Sequence, residues 1–355
     1  MISRLFASAG LAAATICAAS LATVTVAGQT APKVAATKAT KEWTPPRTPW
    51  GDPDISGNYT NIDEVATPLE RPDEFAGRQL DDIKGAELAA IRRKAQAQLK
   101  DRFDNDNGIH AQTSFWGWEA RGQGSQAWFV REPPDGKIPP LTPEGQKRAA
   151  AARMERAEIA ARFAVNIGDY TLYDRCITRG LPGSMMPAMY GDSYQIVQGP
   201  GYVAIRYEMV HETRLIPLDT RRHAGKNVRM DMGDARGHWD GNTLVVETTN
   251  FTDRSAFRNA NGGTLRLVER FTRVAPDRVT WEVTVDDPST WMKPWMFSMP
   301  LRMDDREAIL EYSCHEGNYG LQNLIVIARG EQQAADDAAK KGLKPVPRSP
   351  TPSGE

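Results

Sequence analysis

The sequence predicts a mainly β protein: an antiparallel β-barrel preceded by an N-terminal segment that contains two helices. From Tyr194 onward, apolar residues recur at every second position, as in Val203, Ile205 and Tyr207. This period of two is typical of strands with one buried face. Short turns such as Gly199-Pro200-Gly201 separate the runs and indicate consecutive hairpins. Because meander-like turns dominate, we expect a barrel rather than the alternative, a sandwich.

The first residues are typical of a secretory signal peptide. Arg4 supplies a positive charge, Leu11 to Val26 is almost wholly apolar or small, and cleavage is expected after Gly28. Residues 1–28 are too short and too Ala-rich to favour a membrane span. We therefore expect a periplasmic or secreted protein without stable membrane insertion after cleavage. Residues 29–48, rich in Ala, Lys, Thr and Pro, are expected to be a flexible lead-in.

Residues 49–170 predict a helical and loop-rich N-terminal segment that packs on the barrel. Trp50 to Tyr59 predicts a turn followed by a short strand. Apolar spacing predicts a helix over 80–103, and a second helix is expected to begin at Pro143 after Thr142.

Residues 171–330 predict the barrel, and residues 331–355 a charged and Pro-rich tail. In the barrel, turns divide the chain into runs that we predict as strands at 194–198, 202–210, 243–251, 264–274, 279–286, 295–303 and 309–314. The tail is expected to fray beyond a short helix.

Composition excludes some partners and favours a disulfide. The net charge is −1, with acidic and basic residues interleaved, so no nucleic-acid partner is expected. After signal removal the chain keeps only Cys176 and Cys314. Two cysteines in an exported protein predict a disulfide, with two separate buried thiols as the alternative.

His211 and Glu269 are the first candidate catalytic residues. Each follows the alternating apolar positions of a predicted strand, which would place both inside the barrel. An imidazole beside a carboxylate forms an acid–base pair suited to neutral pH. The alternative is a buried pair that satisfies its own hydrogen bonds, or a bulge that turns one residue outward.

A second candidate site is the turn around the predicted disulfide. Cys314 is followed by His315, Glu316 and Asn318 where a strand is expected to end. A bond to Cys176 would bring Arg175 and Arg179 close to this turn. A guanidinium there would bind an anionic substrate group or stabilise an oxyanion, whereas the alternative is a purely structural stapled turn.

Other residues give weaker signals. Arg214 is expected either to join the site or to form a surface salt bridge. Trp291 and Trp295, like Trp116 and Trp118, would line an apolar pocket or pack in the core. No Gly-rich phosphate loop or G-x-S-x-G motif occurs in the sequence, and the spacing of the histidines matches no local metal-ligand pair. We therefore expect neither a cofactor nor a metal.

Several motifs together resemble those of a large group of exported bacterial proteins. They are Pro49 to Asp54, Tyr207-Glu208 with His211 and Arg214, Gly233-Asp234 with Arg236 to Trp239, Glu269 to Phe271, and Cys314 to Asn318. The resemblance covers nearly the whole chain after the signal. It implies export and a shared β-rich, lipocalin-like fold, and it carries no catalytic role.

These observations leave two main hypotheses for function. In the first, the barrel encloses a small apolar or aromatic molecule and performs cofactor-independent acid–base catalysis of lyase, isomerase or hydrolase type. In the second, the same pocket belongs to a non-catalytic periplasmic binding or carrier protein. A third is an envelope-interaction protein that uses the Trp- and Pro-rich segment before Cys176 as its contact surface.

Overall fold

The structure, a computed structural model, describes residues 43–105, 124–188, 191–304 and 309–343. The predicted signal peptide, most of the lead-in, and Trp116 and Trp118 lie outside the described residues. The described residues belong to one compact unit.

Ten antiparallel strands form a single sheet that curls into a nearly closed barrel, as the sequence predicts. The strand order is β5-β4-β3-β1-β10-β9-β8-β7-β6, and β2 pairs separately with β10. The strands are β1 (Gly57–Thr60), β2 (Val130–Glu132), β3 (Ser193–Gly199), β4 (Tyr202–Tyr207), β5 (Thr213–Pro217), β6 (Asp234–Asp240), β7 (Thr243–Thr249), β8 (Arg266–Ala275), β9 (Arg278–Asp286) and β10 (Trp295–Met303).

The predicted alternation fixes which side chains face the barrel interior. On β9, Val279, Trp281, Val283 and Val285 are all fully buried, while the residues between them are partly exposed. On β8, the buried positions include Leu267, Glu269 and Phe271. The core therefore lies inside the barrel, where the apolar faces of the sheet meet.

The N-terminal segment does more than pack on the barrel. Its strand β1 pairs with β3 on one side and with β10 on the other. Tyr59 lies opposite both Tyr194 and Met303, so this short strand joins the two halves of the sheet. Sequence alone indicated a strand here but gave no partner for it.

The described ranges contain four α-helices, which lie outside the sheet. They are α1 (Gly85–Asn105), α2 (Pro143–Ala161), α3 (Cys314–Gly317) and α4 (Tyr319–Lys340). The start of α2 is as predicted: the Thr142 side chain accepts a hydrogen bond from the Gly145 amide at 3.0 Å, and Pro143 occupies the first turn. Among the described residues, no helix is long and apolar enough to cross a membrane.

The end of the barrel segment differs from the prediction. Residues 309–313 are irregular rather than a strand, and α4 crosses the expected boundary between barrel and tail at residue 330. The helix is explained by the spacing of Leu321, Leu324 and Ala328, which places these apolar residues on one helix face.

The two end strands, β5 and β6, meet without pairing their backbones. Gly237 of β6 makes this approach possible. A Cβ atom there would come within 2.8 Å of side-chain carbons of both Ile216 and Leu218. We call this contact between β5 and β6 the seam of the barrel.

Candidate functional site

A buried ion pair lies at the centre of the barrel. Arg214 of β5 donates to the Glu269 carboxylate with an Nη2–Oε2 distance of 2.5 Å. The same nitrogen donates to Thr248 Oγ1 at 3.0 Å, and Trp281 Nε1 donates to the other Glu269 oxygen at 3.1 Å. Since Glu269 is 0 % exposed and Arg214 4 %, neither charge reaches bulk water. Each charge is therefore tolerated in the interior only because the other one pairs with it.

Charge and burial oppose each other in this pair. Burial alone would lower the Arg214 pKa, but the adjacent Glu269 carboxylate raises it overall, so the guanidinium stays charged. The Tyr207 hydroxyl lies beside the pair, and burial raises the pKa of that phenol despite the opposing effect of Arg214. Phe271 and Phe297 pack on Trp281 with ring centroids 6.4 and 5.6 Å away. Buried side chains of the hydrophobic core thus surround the Arg214–Glu269 pair.

His211 does not share this interior, contrary to the expected His211–Glu269 pair. Strand β4 ends at Tyr207, and the chain then forms a tight turn in which Val210 and His211 have φ values of 64° and 61°. Alternation stops where the strand stops, so His211 is exposed. Arg214, which the sequence left undecided between the site and the surface, is the partner of Glu269.

The predicted disulfide between Cys176 and Cys314 is present, with a Cα–Cα distance of 5.8 Å. Beside it lies a cleft of about 460 Å³ between the 173–176 segment and the start of α4. Its lining residues are Tyr173, Asp174, Cys176, Glu311, Tyr312, Ser313, Cys314, Gly317, Asn318, Gly320, Leu321 and Leu324. We call it the disulfide cleft.

The disulfide cleft combines apolar surface with negative charge. Tyr173, Leu321 and Leu324 supply apolar surface, and the charged lining residues, Asp174 and Glu311, are both acidic. The Asp174 carboxylate already accepts hydrogen bonds from the Thr171 amide and hydroxyl at 3.0 and 2.7 Å. Glu311 is exposed and has no hydrogen bond or ion pair with any described residue. It is therefore the carboxylate available to a ligand.

The Asn318 side chain in the cleft wall is held by hydrogen bonds to both sides of the cleft. Its amide nitrogen donates to the Asp174 carbonyl oxygen at 2.9 Å, and its oxygen accepts from the Leu321 amide at 3.1 Å. The residue thus caps α4 and ties the helix to the 173–176 segment.

The structure does not bring the other predicted site residues together in one site. His315 and Glu316 are exposed on α3 and have no hydrogen bond to another described side chain. Trp291 and Trp295 are 3 % and 1 % exposed, and their ring centroids lie 5.7 Å apart within the core. Arg175 precedes the bridged Cys176 and, like Arg179, is not among the residues that line the cleft.

Sequence reasoning missed Asp192, a buried carboxyl group directly before β3. Asp192 is 3 % exposed; its Oδ1 accepts from the Ala188 amide at 2.8 Å, and its Oδ2 has no partner among the described residues. Burial raises the pKa of this carboxyl to about 8. The signal was present in the sequence, because Asp192 shares the alternation of Tyr194 and Ile196.

Glu212 is a second missed carboxyl group, close to the same end of the barrel. It accepts a hydrogen bond from Thr178 Oγ1 at 2.7 Å. Burial raises its pKa, although the hydrogen bonds that it accepts oppose the shift. Together, Asp192 and Glu212 hold the chain from Thr178 to Ala188 against the strand ends. We call residues 178–188 the mouth loop.

His223 is the third polar residue that sequence reasoning did not single out. Its ring nitrogens lie 3.3 Å from an Asp234 oxygen and 3.2 Å from a Glu247 oxygen. Arg236 and Arg266 pair with the same two carboxylates. This arrangement holds the chain before β6 against the sheet.

In the described part of the chain, no group of three or more His, Cys, Asp or Glu side chains is placed to hold a metal ion. Comparison of the sequence with family models and with curated proteins, and of the fold with solved structures, finds no match.

Proposed function

We propose that this protein is an exported, non-catalytic binding protein that takes a small, partly aromatic molecule into the disulfide cleft. The observation that carries the proposal is the cleft itself. Its volume of about 460 Å³ lies within the range of small-molecule sites, roughly 300–1,000 Å³. The mixture of apolar surface with a few polar groups is also typical of such sites.

The barrel interior is a less suitable place for the ligand. Aromatic and aliphatic side chains occupy the space around Arg214 and Glu269. A ligand there would have to displace core side chains that are packed as in other protein interiors. The cleft at the disulfide requires no such displacement.

Binding is favoured over acid–base catalysis because the expected proton-transfer pair is not assembled. His211 is exposed, whereas the Glu269 carboxylate is held by Arg214 and Trp281. General catalysis requires a donor or acceptor within hydrogen-bond reach of a reacting group. Neither residue meets that condition for a molecule bound in the cleft.

The lining residues define the chemistry of the ligand. Tyr173, Leu321 and Leu324 favour an aromatic or aliphatic body. Both charged lining residues are acidic, and Glu311 has no partner among the described residues, so an ammonium group is the favoured head. We therefore infer an aromatic amine rather than a carboxylic acid.

Export is proposed on separate grounds. A disulfide that closes a long loop persists in oxidising compartments, and such bonds are rare in the cytosol. Mass spectrometry of the mature protein from the periplasm is expected to find Gln29 at the N-terminus. An intact Met1 in that fraction would contradict the proposal.

The binding proposal is tested with 2-phenylethylamine as the probe and phenylacetate as its anionic counterpart, by isothermal titration calorimetry. We expect the amine to bind more tightly than the carboxylate. Leu324→Arg, which places bulk and positive charge in the cleft, should weaken amine binding by about tenfold or more.

Val326→Arg is the matched control, because Val326 is on the same helix, is 59 % exposed and does not line the cleft. This variant should bind the amine as the unmodified protein does. If the amine does not bind, or if both arginine variants lose binding equally, the cleft is not the ligand site.

A further inference from the structure

Asp192 and Arg179 each carry a buried polar atom that lacks a partner. The Oδ2 atom of Asp192 and the Nη1 atom of Arg179 are both shielded from water and have no hydrogen bond within the described residues. The two side chains are close enough for the Arg179 charge to lower the Asp192 pKa. Buried atoms of opposite character without partners are uncommon in folded proteins.

Arg179 also contacts Tyr173, one of the residues that line the disulfide cleft. Its guanidinium carbon lies 5.6 Å from the centroid of the Tyr173 ring, a cation–π distance. Tyr173 in turn lines the cleft. One guanidinium therefore lies between a buried carboxyl group and an aromatic wall of the proposed ligand site.

The charged groups around Asp192 come from three elements. Arg179, on the mouth loop, favours the ionised carboxyl, whereas Glu208, directly after β4, disfavours it. On β3 the buried Tyr194 phenol lies near both Asp192 and Arg179, and its pKa is raised well above the ordinary value, chiefly by burial. Because burial outweighs Arg179 and raises the Asp192 pKa to about 8, the carboxyl group is protonated at neutral pH.

We propose that Asp192 and Arg179 form a proton-controlled switch behind the disulfide cleft, in which loss of the Asp192 proton pairs the carboxylate with Arg179 and withdraws the guanidinium from Tyr173. The inference rests on the proposed function of the cleft and adds regulation to it. The proton released goes to solvent, and no other bond forms or breaks.

The switch has a defined direction. Below the Asp192 pKa, the carboxyl is neutral and Arg179 keeps its cation–π contact with Tyr173 in the wall of the cleft. Above it, the buried carboxylate attracts Arg179 more strongly than an aromatic ring does. Rising pH therefore removes the cation–π contact from Tyr173 and weakens ligand binding.

The test measures 2-phenylethylamine binding from about pH 6.5 to about pH 9, where the amine remains largely cationic. Affinity is expected to fall by about threefold to tenfold, the range for loss of one cation–π contact, with a midpoint near the Asp192 pKa of about 8. Asp192→Asn, which cannot ionise, should bind with the same affinity throughout. The exposed Glu316→Gln serves as the control and should keep the pH dependence.

A ligand-free measurement keeps the switch testable by itself. With ¹³C-labelled aspartate and tyrosine, NMR should show the Asp192 carboxyl and the Tyr173 ring titrating together near pH 8. Asp192→Asn and Tyr173→Phe assign the two signals. Titration of Asp192 near its ordinary pKa of about 4, or a Tyr173 ring that does not respond to pH, overturns the switch.

The two proposals fail in different ways. If 2-phenylethylamine binds equally at every pH, the switch is wrong and the binding site stands. If the amine binds at no pH while Asp192 and Tyr173 still titrate together, the proposed ligand is wrong and the coupling between the two residues stands.

Discussion

At the scale of single residues, Arg214 and Glu269 place opposite charges where water reaches neither side chain. Their side chains are 3 % and 0 % exposed, and they join β5 to β8. The free energy needed to remove two ions from water offsets most of the free energy gained by their attraction. Such a pair therefore contributes little net stability. Removal of one member, however, leaves the other charge buried and unpaired.

Glu269→Gln is therefore expected to reduce the free energy of unfolding by about 3–5 kcal/mol. The double replacement Arg214→Met with Glu269→Leu should recover most of this loss, because apolar groups of similar volume then fill the space. Urea unfolding measures both effects.

Arg270→Ala is the matched control for this prediction. Arg270 follows Glu269 on the same strand but pairs with Asp240 on the exposed face, with an Nη2–Oδ2 distance of 3.0 Å. Its loss should cost less than about 1 kcal/mol. If Glu269→Gln and Arg270→Ala reduce the free energy of unfolding equally, Glu269 is not a buried charge that depends on Arg214.

At the scale of elements, the seam depends on one residue without a side chain. Gly237 lets β6 approach β5, and the contact is made through Ile216, Leu218 and Leu244 rather than through backbone hydrogen bonds. End strands that do not pair are ordinarily open to pairing with other chains. Close side-chain packing across the seam limits that exposure.

Gly237→Ala is expected to destabilise the protein by about 1–3 kcal/mol, because the added methyl group has no room between Ile216 and Leu218. Thermal unfolding measures the change. Gly225→Ala provides the comparison, since a Cβ atom there meets nothing within 4 Å. A Gly237→Ala protein as stable as the Gly225→Ala protein would mean that the seam is loosely packed.

The elements that could be predicted from sequence are those whose pattern is local. Alternation placed Trp281, Glu269 and Phe297 on the buried face of their strands, and Thr142-Pro143 marked the start of α2. A short helix was predicted only beyond residue 330, whereas α4 begins at Tyr319. The helical spacing of Leu321, Leu324 and Ala328 was included in the predicted barrel segment instead.

The candidate site was less predictable than the fold. The disulfide followed from cysteine number and expected export, and it led to Asn318 as a cleft residue. The position of His211 depended on where β4 ends, and a strand end is set by the turn that follows it. The charge state of Asp192 depends first on its burial and then on Ala188, Arg179 and Glu208, and local sequence determines neither the burial nor these neighbours.

At the scale of the whole molecule, the disulfide closes a loop of 138 residues that contains β3 to β10. A cross-link over such a distance restricts the unfolded chain and is worth about 5 kcal/mol in the chain-entropy model. The bond also connects the 173–176 segment of the cleft to α3, which directly precedes α4. Stability and the shape of the cleft thus depend on the same bond.

Reduction of the disulfide is expected to lower the urea midpoint by an amount equivalent to several kcal/mol, and at most about 5 kcal/mol. It should also weaken 2-phenylethylamine binding, because the cleft loses the link between its two walls. The double variant Cys176→Ser with Cys314→Ser should show the lower midpoint with or without reductant. If reductant does not change the urea midpoint of the unmodified protein, the prediction is wrong.

The pairing of β1 with both β3 and β10 determines when this chain can finish folding. The ribosome makes Gly57–Thr60 first, yet the partner strand at Trp295–Met303 emerges more than two hundred residues later. Contacts so distant along the chain slow the search for the native arrangement. The nascent polypeptide therefore stays without its complete sheet until synthesis is almost over, which leaves a long interval in which strand edges remain unpaired.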